Sequence, residues 1–130
     1  MAFYLDTSAA VKLVVAERGS TALLRWVAER QDRIVSSDLL RTELLRATRR
    51  GAPAQMERAR AVLESIMVMT LVSSIFERAG ELEPDLLRSL DALHLAAALD
   101  LGDDLEGIVT YDERLAEAAH NYGVPVVAPH

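Results

Sequence analysis

The feature of this sequence that most restricts its fold is the alternation of short apolar runs with longer stretches of helical periodicity. The predicted strands are residues 2–5, 33–36, 67–72, 107–111 and 124–127. The predicted helices are residues 8–16, 20–30, 38–50, 54–66, 75–82, 84–89, 90–101 and 113–122. Strands separated by helices favour a parallel sheet with helices on both faces. We therefore expect an α/β fold, a three-layer α/β/α sandwich with a mainly parallel sheet.

The size and composition of the chain predict one compact domain over residues 1–130. Hydrophobic residues make up 51% of the sequence and aromatic residues only 5%, so the core must consist of Leu, Val, Ala and Ile. The chain has no cysteine, which excludes a disulfide scaffold and a thiolate metal site. It has neither a signal-peptide pattern nor an apolar run long enough to span a bilayer. We expect a cytoplasmic protein that is not associated with a membrane.

Two aspartates follow predicted strands. Asp6 follows the first strand and Asp112 follows the strand at residues 107–111. Ligands of open parallel sheets bind outside the carboxyl ends of the strands, so both carboxylates are expected at the same edge. Each has a structural alternative, because Asp is a favoured N-cap residue and a helix follows in both cases. For either residue taken alone, capping is the favoured interpretation.

Two further carboxylates interrupt apolar helices. Glu43 lies within the apolar stripe of the helix at residues 38–50, where a buried carboxylate is costly unless it is paired. Its structural alternatives are a salt bridge to an arginine or an edge position open to solvent. Asp91 is the only carboxylate of its helix before Asp100. Its alternative is a favourable interaction with the dipole at the helix start.

If Asp6, Glu43, Asp91 and Asp112 converge, their repulsion requires protons or cations. Two like charges at ~4 Å cost about 4 kcal/mol at an effective dielectric constant of ~20. Oxygen ligands without Cys or a His-x-x-x-His pair suit Mg²⁺ or Mn²⁺ better than Zn²⁺. Such ions activate water and stabilise charge on phosphoryl oxygens, so the predicted reaction is phosphodiester hydrolysis. The net charge of −6 opposes phosphate binding, but two divalent ions would offset much of it. The net charge therefore neither supports nor excludes a nucleic-acid substrate.

Four segments of the chain resemble the motifs of PIN-domain ribonucleases, in particular the VapC-type toxins of bacterial toxin–antitoxin pairs. The segments are Phe3-Tyr4-Leu5-Asp6-Thr7-Ser8-Ala9, Ser36-Ser37-Asp38-Leu39-Leu40-Arg41-Thr42-Glu43-Leu44, Leu90-Asp91-Ala92-Leu93-His94-Leu95-Ala96 and Val109-Thr110-Tyr111-Asp112-Glu113-Arg114-Leu115. The resemblance covers almost the whole chain, and no acidic position departs from the family pattern.

The resemblance implies an endoribonuclease that depends on Mg²⁺ or Mn²⁺. It also implies a homodimer and a cognate antitoxin that blocks the acidic site. Asp6 and Asp91 would be the principal metal ligands, and Asp112 and Glu43 would complete the site and help to position or activate water. Thr110 would orient Asp112, with hydrogen bonding at the strand end as the simpler alternative.

Other polar residues have weaker functional readings. His94 is interpreted as a packing histidine with local hydrogen bonds, because its helix is apolar. Trp26 is interpreted as a core or dimer contact. A basic group could bind RNA phosphates or an antitoxin, although solvated helix flanks explain it equally well. That group consists of Lys12, Arg41, Arg46, Arg49 and Arg50.

Rival classes fit less well. Phosphoaspartyl hydrolases and phosphotransferases need a second Asp two residues after the first, where this chain has Ser8. No Gly-rich phosphate loop or G-x-G-x-x-G run is present, so no nucleotide cofactor is expected. A non-catalytic module that binds an antitoxin or nucleic acid remains the alternative. Its sign would be the loss of a site carboxylate, and none is missing.

Overall fold

The structure, a computed structural model, describes residues 1–130. The strands are β1 (Ala2–Leu5), β2 (Ile34–Ser37), β3 (Met67–Met69), β4 (Leu105–Val109) and β5 (Val126–Val127). The helices are α1 (Thr7–Val14), α2 (Ser20–Ala28), α3 (Asp38–Gly51), α4 (Met56–Ser65), α5 (Ser73–Glu81), α6 (Ser89–Leu99) and α7 (Glu113–Asn121). The strands form one sheet in the order β3-β2-β1-β4-β5, and every pair is parallel. The predicted α/β fold is confirmed.

The sheet separates two apolar cores because successive side chains of a strand point to opposite faces. In β1, Tyr4 belongs to one core and Leu5 to the other, and in β4 Ile108 and Val109 divide in the same way. The first core is completed by α5, α6 and α7, and the second by α1, α2, α3 and α4. This arrangement is the predicted three-layer sandwich, with aliphatic side chains filling both cores.

The strand order creates a switch point between β1 and β4. The chain adds β2 and β3 on one side of β1 and then places β4 on the other side, with Leu5 opposite Val109. In open parallel sheets, the crevice at such a point, beyond the carboxyl ends of the strands, is where ligands bind. Asp6 and Thr110, the residues that follow this pair, therefore lie at the position of this crevice.

Several predicted elements differ from the structure in extent or type, and the last strand, predicted at 124–127, spans only residues 126–127. Residues 84–87 form a turn and not a helix, since a single bond from the Leu87 N–H to the Pro84 carbonyl does not offset the cost of helix nucleation, and Ser89 belongs to α6. The strand predicted at 67–72 ends at Met69 because its partner β2 ends at Ser37. The strand predicted at 107–111 spans residues 105–109, and the N–H of Tyr111 donates to the Ser8 hydroxyl. No helix of the protein has the length and apolarity that a bilayer crossing requires.

Candidate active site

Asp6 is a buried carboxylate at the switch point. It follows β1 directly, is 3% exposed and caps α1. Its Oδ1 accepts hydrogen bonds from the Ala9 N–H at 2.9 Å and the Ser8 hydroxyl at 2.7 Å, and its Oδ2 accepts one from the Thr110 hydroxyl at 2.5 Å. Burial raises the pKa of Asp6 even though these three donors favour the ionised form. A buried carboxyl with a perturbed pKa in a crevice marks a candidate functional site.

Asp112 lies beside Asp6 because Thr110 contacts both residues. The Thr110 hydroxyl donates to Asp6 and accepts a hydrogen bond from the Asp112 N–H at 3.0 Å. Asp112 caps α7, with its Oδ1 accepting from the N–H groups of Arg114 at 2.9 Å and Leu115 at 3.2 Å. The capping interpretation is thus correct for both aspartates. Capping uses Oδ1 of each, and Oδ2 accepts instead from the Thr110 hydroxyl in Asp6 and from Arg88 in Asp112.

Arg88 connects Asp112 with Asp91. Its Nε donates to Asp91 Oδ2 at 3.1 Å, and its Nη2 donates to Asp112 Oδ2 at 3.3 Å. The hydrogen bond to Asp91 and the negative charges of the two aspartates raise the pKa of Arg88. The Arg88 side chain is nevertheless 64% exposed. Two carboxylates from different segments of the chain therefore share one accessible cation.

Glu43 reaches the site from α3 and is held on one oxygen. Its Oε1 accepts hydrogen bonds from the Thr7 hydroxyl at 2.6 Å and from His94 Nε2 at 2.6 Å. Burial opposes ionisation of Glu43, but the hydrogen bonds from His94 and Thr7 outweigh it and lower the pKa of the carboxyl. Glu43 and Asp91 line one cleft of about 230 Å³ together with Arg88. Of the two structural alternatives, the arginine salt bridge does not occur, because the partner of Glu43 is a histidine.

The four carboxylates are thus linked through Thr110, Arg88 and their shared cleft, but they are not packed into one ligand cage. No three acidic or histidine side chains are grouped closely enough to hold one metal ion between them. The chemistry of the donor set nevertheless fits a hard divalent cation, because the donors are carboxylate oxygens. In this structure, two of the carboxylates, Asp91 and Asp112, form salt bridges with Arg88.

Two functional candidates were missed or misjudged from the sequence. His94 is buried as predicted, but its hydrogen bonds run to Tyr4, Thr7 and Glu43, all distant in sequence, and not to local groups. Arg88 was not singled out. A signal existed for both, since Arg88 and His94 stand three residues before and after Asp91, which is the spacing of neighbours on one helix face.

The basic group singled out from the sequence and Trp26 make no hydrogen bond to the four carboxylates. Lys12 donates to the Arg18 carbonyl and lies over the Tyr111 ring, so it is already engaged. Trp26 packs edge-on against Phe3 beside the second core, as the core interpretation predicts. The four arginines of α3 are exposed, and their functional reading stays a prediction. They are Arg41, Arg46, Arg49 and Arg50.

Comparison with known proteins identifies the family. The PIN domain matches residues 3–121. The chain is 42% identical over 128 residues to Ribonuclease VapC46 of Mycobacterium tuberculosis, covering 98% of each chain. It is 38% identical over 130 residues to Ribonuclease VapC47 of the same species, covering 97% of this chain and 96% of that relative.

Solved structures share the fold at low sequence identity. The crystal structure of Mycobacterium tuberculosis VapC20, a toxin that cleaves the sarcin–ricin loop, has a TM-score of 0.74 at 15% identity, covering 90% of this chain and 95% of that one. A toxin–antitoxin complex from Klebsiella pneumoniae has a TM-score of 0.72 at 21% identity, covering 100% and 98%. With its fold, its acidic crevice and its VapC relatives, the chain belongs to the PIN-domain family.

Proposed function

We propose that this chain is an endoribonuclease that hydrolyses RNA phosphodiester bonds with Mg²⁺ or Mn²⁺, and that it is the toxin of a type II toxin–antitoxin pair. The observation that carries the proposal is the set of four carboxylates linked through Thr110, Arg88 and a shared cleft, in a chain whose relatives over nearly their full length are named ribonucleases. The proposed site consists of Asp6, Glu43, Asp91 and Asp112. A cytoplasmic location is part of the proposal, as RNA and an antitoxin would be met there.

Asp6 and Asp91 are the proposed principal ligands of the cation, and Asp112 and Glu43 complete the site. When bound, the divalent ion would stabilise negative charge on the phosphoryl group and lower the pKa of a water molecule. Thr110 and Ser8 hold the Asp6 carboxylate in a fixed orientation, as their hydrogen bonds show. A fixed carboxylate reduces the reorganisation that accompanies the reaction.

Glu43 is the proposed general base. Its Oε1 is occupied by Thr7 and His94, whereas its Oε2 makes no hydrogen bond within the protein. Glu43 is ionised near neutral pH and can accept a proton from water, although its lowered pKa makes it a weaker base than an ordinary glutamate. Arg88 is accessible and presents the planar guanidinium that binds phosphate oxygens in two-point contacts, so it is the proposed phosphate contact.

An antitoxin and a second copy of the chain are the proposed protein partners. A groove of about 470 Å³ beside the site shares Arg88 and Asp91 with it and is lined by Leu86, which is 93% exposed. Leu90 and Phe76 are also exposed nearby on the same side of the sheet. Exposed apolar side chains beside a polar site are typical of protein interaction surfaces. The Klebsiella pneumoniae relative of known structure is itself a toxin–antitoxin complex.

The test is RNA cleavage by purified protein. A mixed RNA pool is incubated with wild type, D6N and D91N in the presence of Mn²⁺, Mg²⁺ or EDTA, and the 5′ and 3′ ends are mapped. D103N is the matched control, since Asp103 is exposed in the turn before β4, at the opposite end of that strand. Cleavage should require the metal and should persist only in wild type and D103N.

Two results would contradict the proposal. Cleavage that survives in folded D6N and D91N identifies a contaminating nuclease and removes the site assignment. A folded wild type that binds Mn²⁺ but cuts no RNA of the pool or of a total-RNA extract favours the alternative of a non-catalytic binding module. Circular dichroism of every variant establishes that folding is retained.

A further inference from the structure

A continuous line of buried hydrogen bonds leads from the proposed base into the core. The Tyr4 hydroxyl lies 2.8 Å from Ser37 Oγ and 2.7 Å from His94 Nδ1, and His94 Nε2 lies 2.6 Å from Glu43 Oε1. Tyr4, Ser37 and His94 are 0%, 0% and 2% exposed. All buried polar atoms of the side chains are paired. The line joins β1, β2, α6 and α3, which no local sequence pattern connects.

When the imidazole is neutral, the chemistry of the two ends fixes the direction of donation along this line. An ionised Glu43 is only an acceptor, so the proton between it and the imidazole must be on His94 Nε2. In the neutral ring, Nδ1 is then an acceptor, and its partner Tyr4 must donate. Burial raises the pKa of Tyr4, so its hydroxyl keeps the proton that it donates. Ser37 in turn donates to the Tyr4 oxygen.

We propose that His94 is a positioning residue for Glu43, held in place by the buried hydrogen bonds that join Ser37 to Tyr4 and Tyr4 to Nδ1. The inference rests on the proposed function, in which Glu43 accepts a proton. His94 and the Thr7 hydroxyl, which lies 3.1 Å from Nε2, together fix Oε1 of the carboxylate. The second oxygen, Oε2, is thereby directed to the cleft.

The burial of the side chain at position 94 explains why Glu43 is held by a histidine. A lysine or arginine could also pair with Glu43, but it would bring a charge and a long flexible side chain into an apolar helix face. Imidazole is rigid, and its second nitrogen allows the protein to hold the ring from behind. The ring of Tyr4 also packs edge-on against that of His94 at 5.7 Å between centroids. The anchor is therefore fixed by packing as well as by hydrogen bonds.

The first experiment reads the tautomer without reference to cleavage. Long-range ¹H–¹⁵N correlation spectra of labelled wild-type protein at pH 7.5 with EDTA report the protonation of each ring nitrogen. The signals of His94 are assigned from their absence in H94Q, which separates them from those of His120 and His130. A neutral ring with its proton on Nε2 supports the inference. A proton on Nδ1, or on both nitrogens, overturns the direction of donation.

The second experiment compares the kcat of two amide variants, H94N and H94Q, measured in the presence of the metal. The amide nitrogen of glutamine can replace Nε2, whereas that of asparagine replaces Nδ1 and cannot reach Glu43. We expect H94N to lower kcat by about tenfold to hundredfold, the range of a displacement of roughly 1 Å in a reacting group, with little change in KM. H94Q should restore most of kcat. In an E43Q background, H94N should cause no further loss.

The outcomes separate the inference from the proposed function. Equal kcat for wild type, H94N and H94Q, in an enzyme that E43Q inactivates, overturns the positioning role alone. The positioning role of His94 is also overturned if the kcat values of H94N and H94Q vary with their unfolding free energies and not with whether the amide nitrogen can contact Glu43. Full cleavage by E43Q removes Glu43 as the base of the proposed function, whatever the spectra show. A Nε2–H ring in a protein that cuts no RNA supports the anchoring of Glu43 and contradicts only the nuclease assignment.

Discussion

Replacing Thr110 with valine tests whether the buried, charged carboxylate of Asp6 depends on the Thr110 hydroxyl that donates to it. Thr110 is 1% exposed, and valine keeps its shape while removing the oxygen. The substitution deletes the donor to Asp6 Oδ2 and the acceptor of the Asp112 N–H. Asp6 keeps its two donors on Oδ1, the Ser8 hydroxyl and the Ala9 N–H, but Oδ2 loses its partner. We expect T110V to destabilise the metal-free protein and to reduce cleavage.

The magnitude follows from the two contacts. A hydrogen bond to a charged group contributes about 1.5–3 kcal/mol, and a buried donor left unpaired costs about 1–3 kcal/mol. The Asp112 N–H is only partly buried, so the lower limit applies to it. The added methyl group of valine offsets up to about 0.8 kcal/mol. The expected loss is therefore about 2–3 kcal/mol, or roughly 10 °C in Tm for a chain of this size.

The assay is urea unfolding, followed by circular dichroism at pH 8 in EDTA. T48V is the matched control, because Thr48 is 2% exposed and its hydroxyl donates to the uncharged Leu44 carbonyl one helical turn away. That substitution should cost less than about 1 kcal/mol, since hydroxyl bonds back into a helix contribute little. The cost of T110V should also fall at acid pH, where Asp6 is protonated and no longer needs the donor.

Three results would refute this reasoning. A loss below about 0.5 kcal/mol shows that the hydroxyl is not coupled to a charge. Equal losses in T110V and T48V show that any buried threonine hydroxyl would behave in this way. An undiminished cost of T110V in a D6N background shows that Asp6 is not the partner whose charge matters.

The remaining predictions concern the charge of the site, the metal and the core. Burial raises the pKa of Asp6 in the folded state, so the contribution of Asp6 to stability falls as pH rises from the pKa of the unfolded state to that of the folded state. Metal-free D6N should therefore be more stable than wild type at pH 8. In urea titrations, this difference in unfolding free energy should shrink as the pH is lowered. Mn²⁺ at about 100 times its Kd should stabilise wild type by about 2.7 kcal/mol but leave D6N unchanged, as measured by unfolding with and without EDTA. R88Q should bind Mn²⁺ a few-fold more tightly by calorimetry, because the guanidinium no longer competes for Asp91 and Asp112; weaker binding would contradict the competition. L95A should cost about 2–5 kcal/mol in unfolding free energy, since Leu95 is fully buried in the core under α6.

The elements of the fold were largely predictable because hydrophobic periodicity is a local property of the chain. Helix and strand alternation specified the parallel sheet, and the position of Asp6 after its strand specified the edge at which it lies. The errors fall where local patterns are ambiguous. The end of β4 depends on Ser8, which takes the Tyr111 N–H out of the strand pattern, and no window around residue 111 contains that partner.

The roles of individual site residues were less predictable. Asp6 and Asp112 each cap a helix, as the structural alternative predicts, and capping does not exclude the proposed role because it uses only Oδ1 of each. Glu43 was identified because a carboxylate within an apolar stripe needs a partner. The partner itself, His94, was misjudged because a buried histidine looks the same in sequence whether its hydrogen bonds are local or distant.

The sequence by itself determined the layers, the two cores and the presence of four carboxylates that local structure did not fully explain. Burial and backbone periodicity are encoded within a few residues, so they can be read without coordinates. Only the tertiary structure decided that Arg88 joins Asp91 to Asp112, and that Tyr4 holds His94 against Glu43. Those contacts link segments up to 90 residues apart, and their geometry depends on the strand order and on how α3 and α6 pack across the sheet edge.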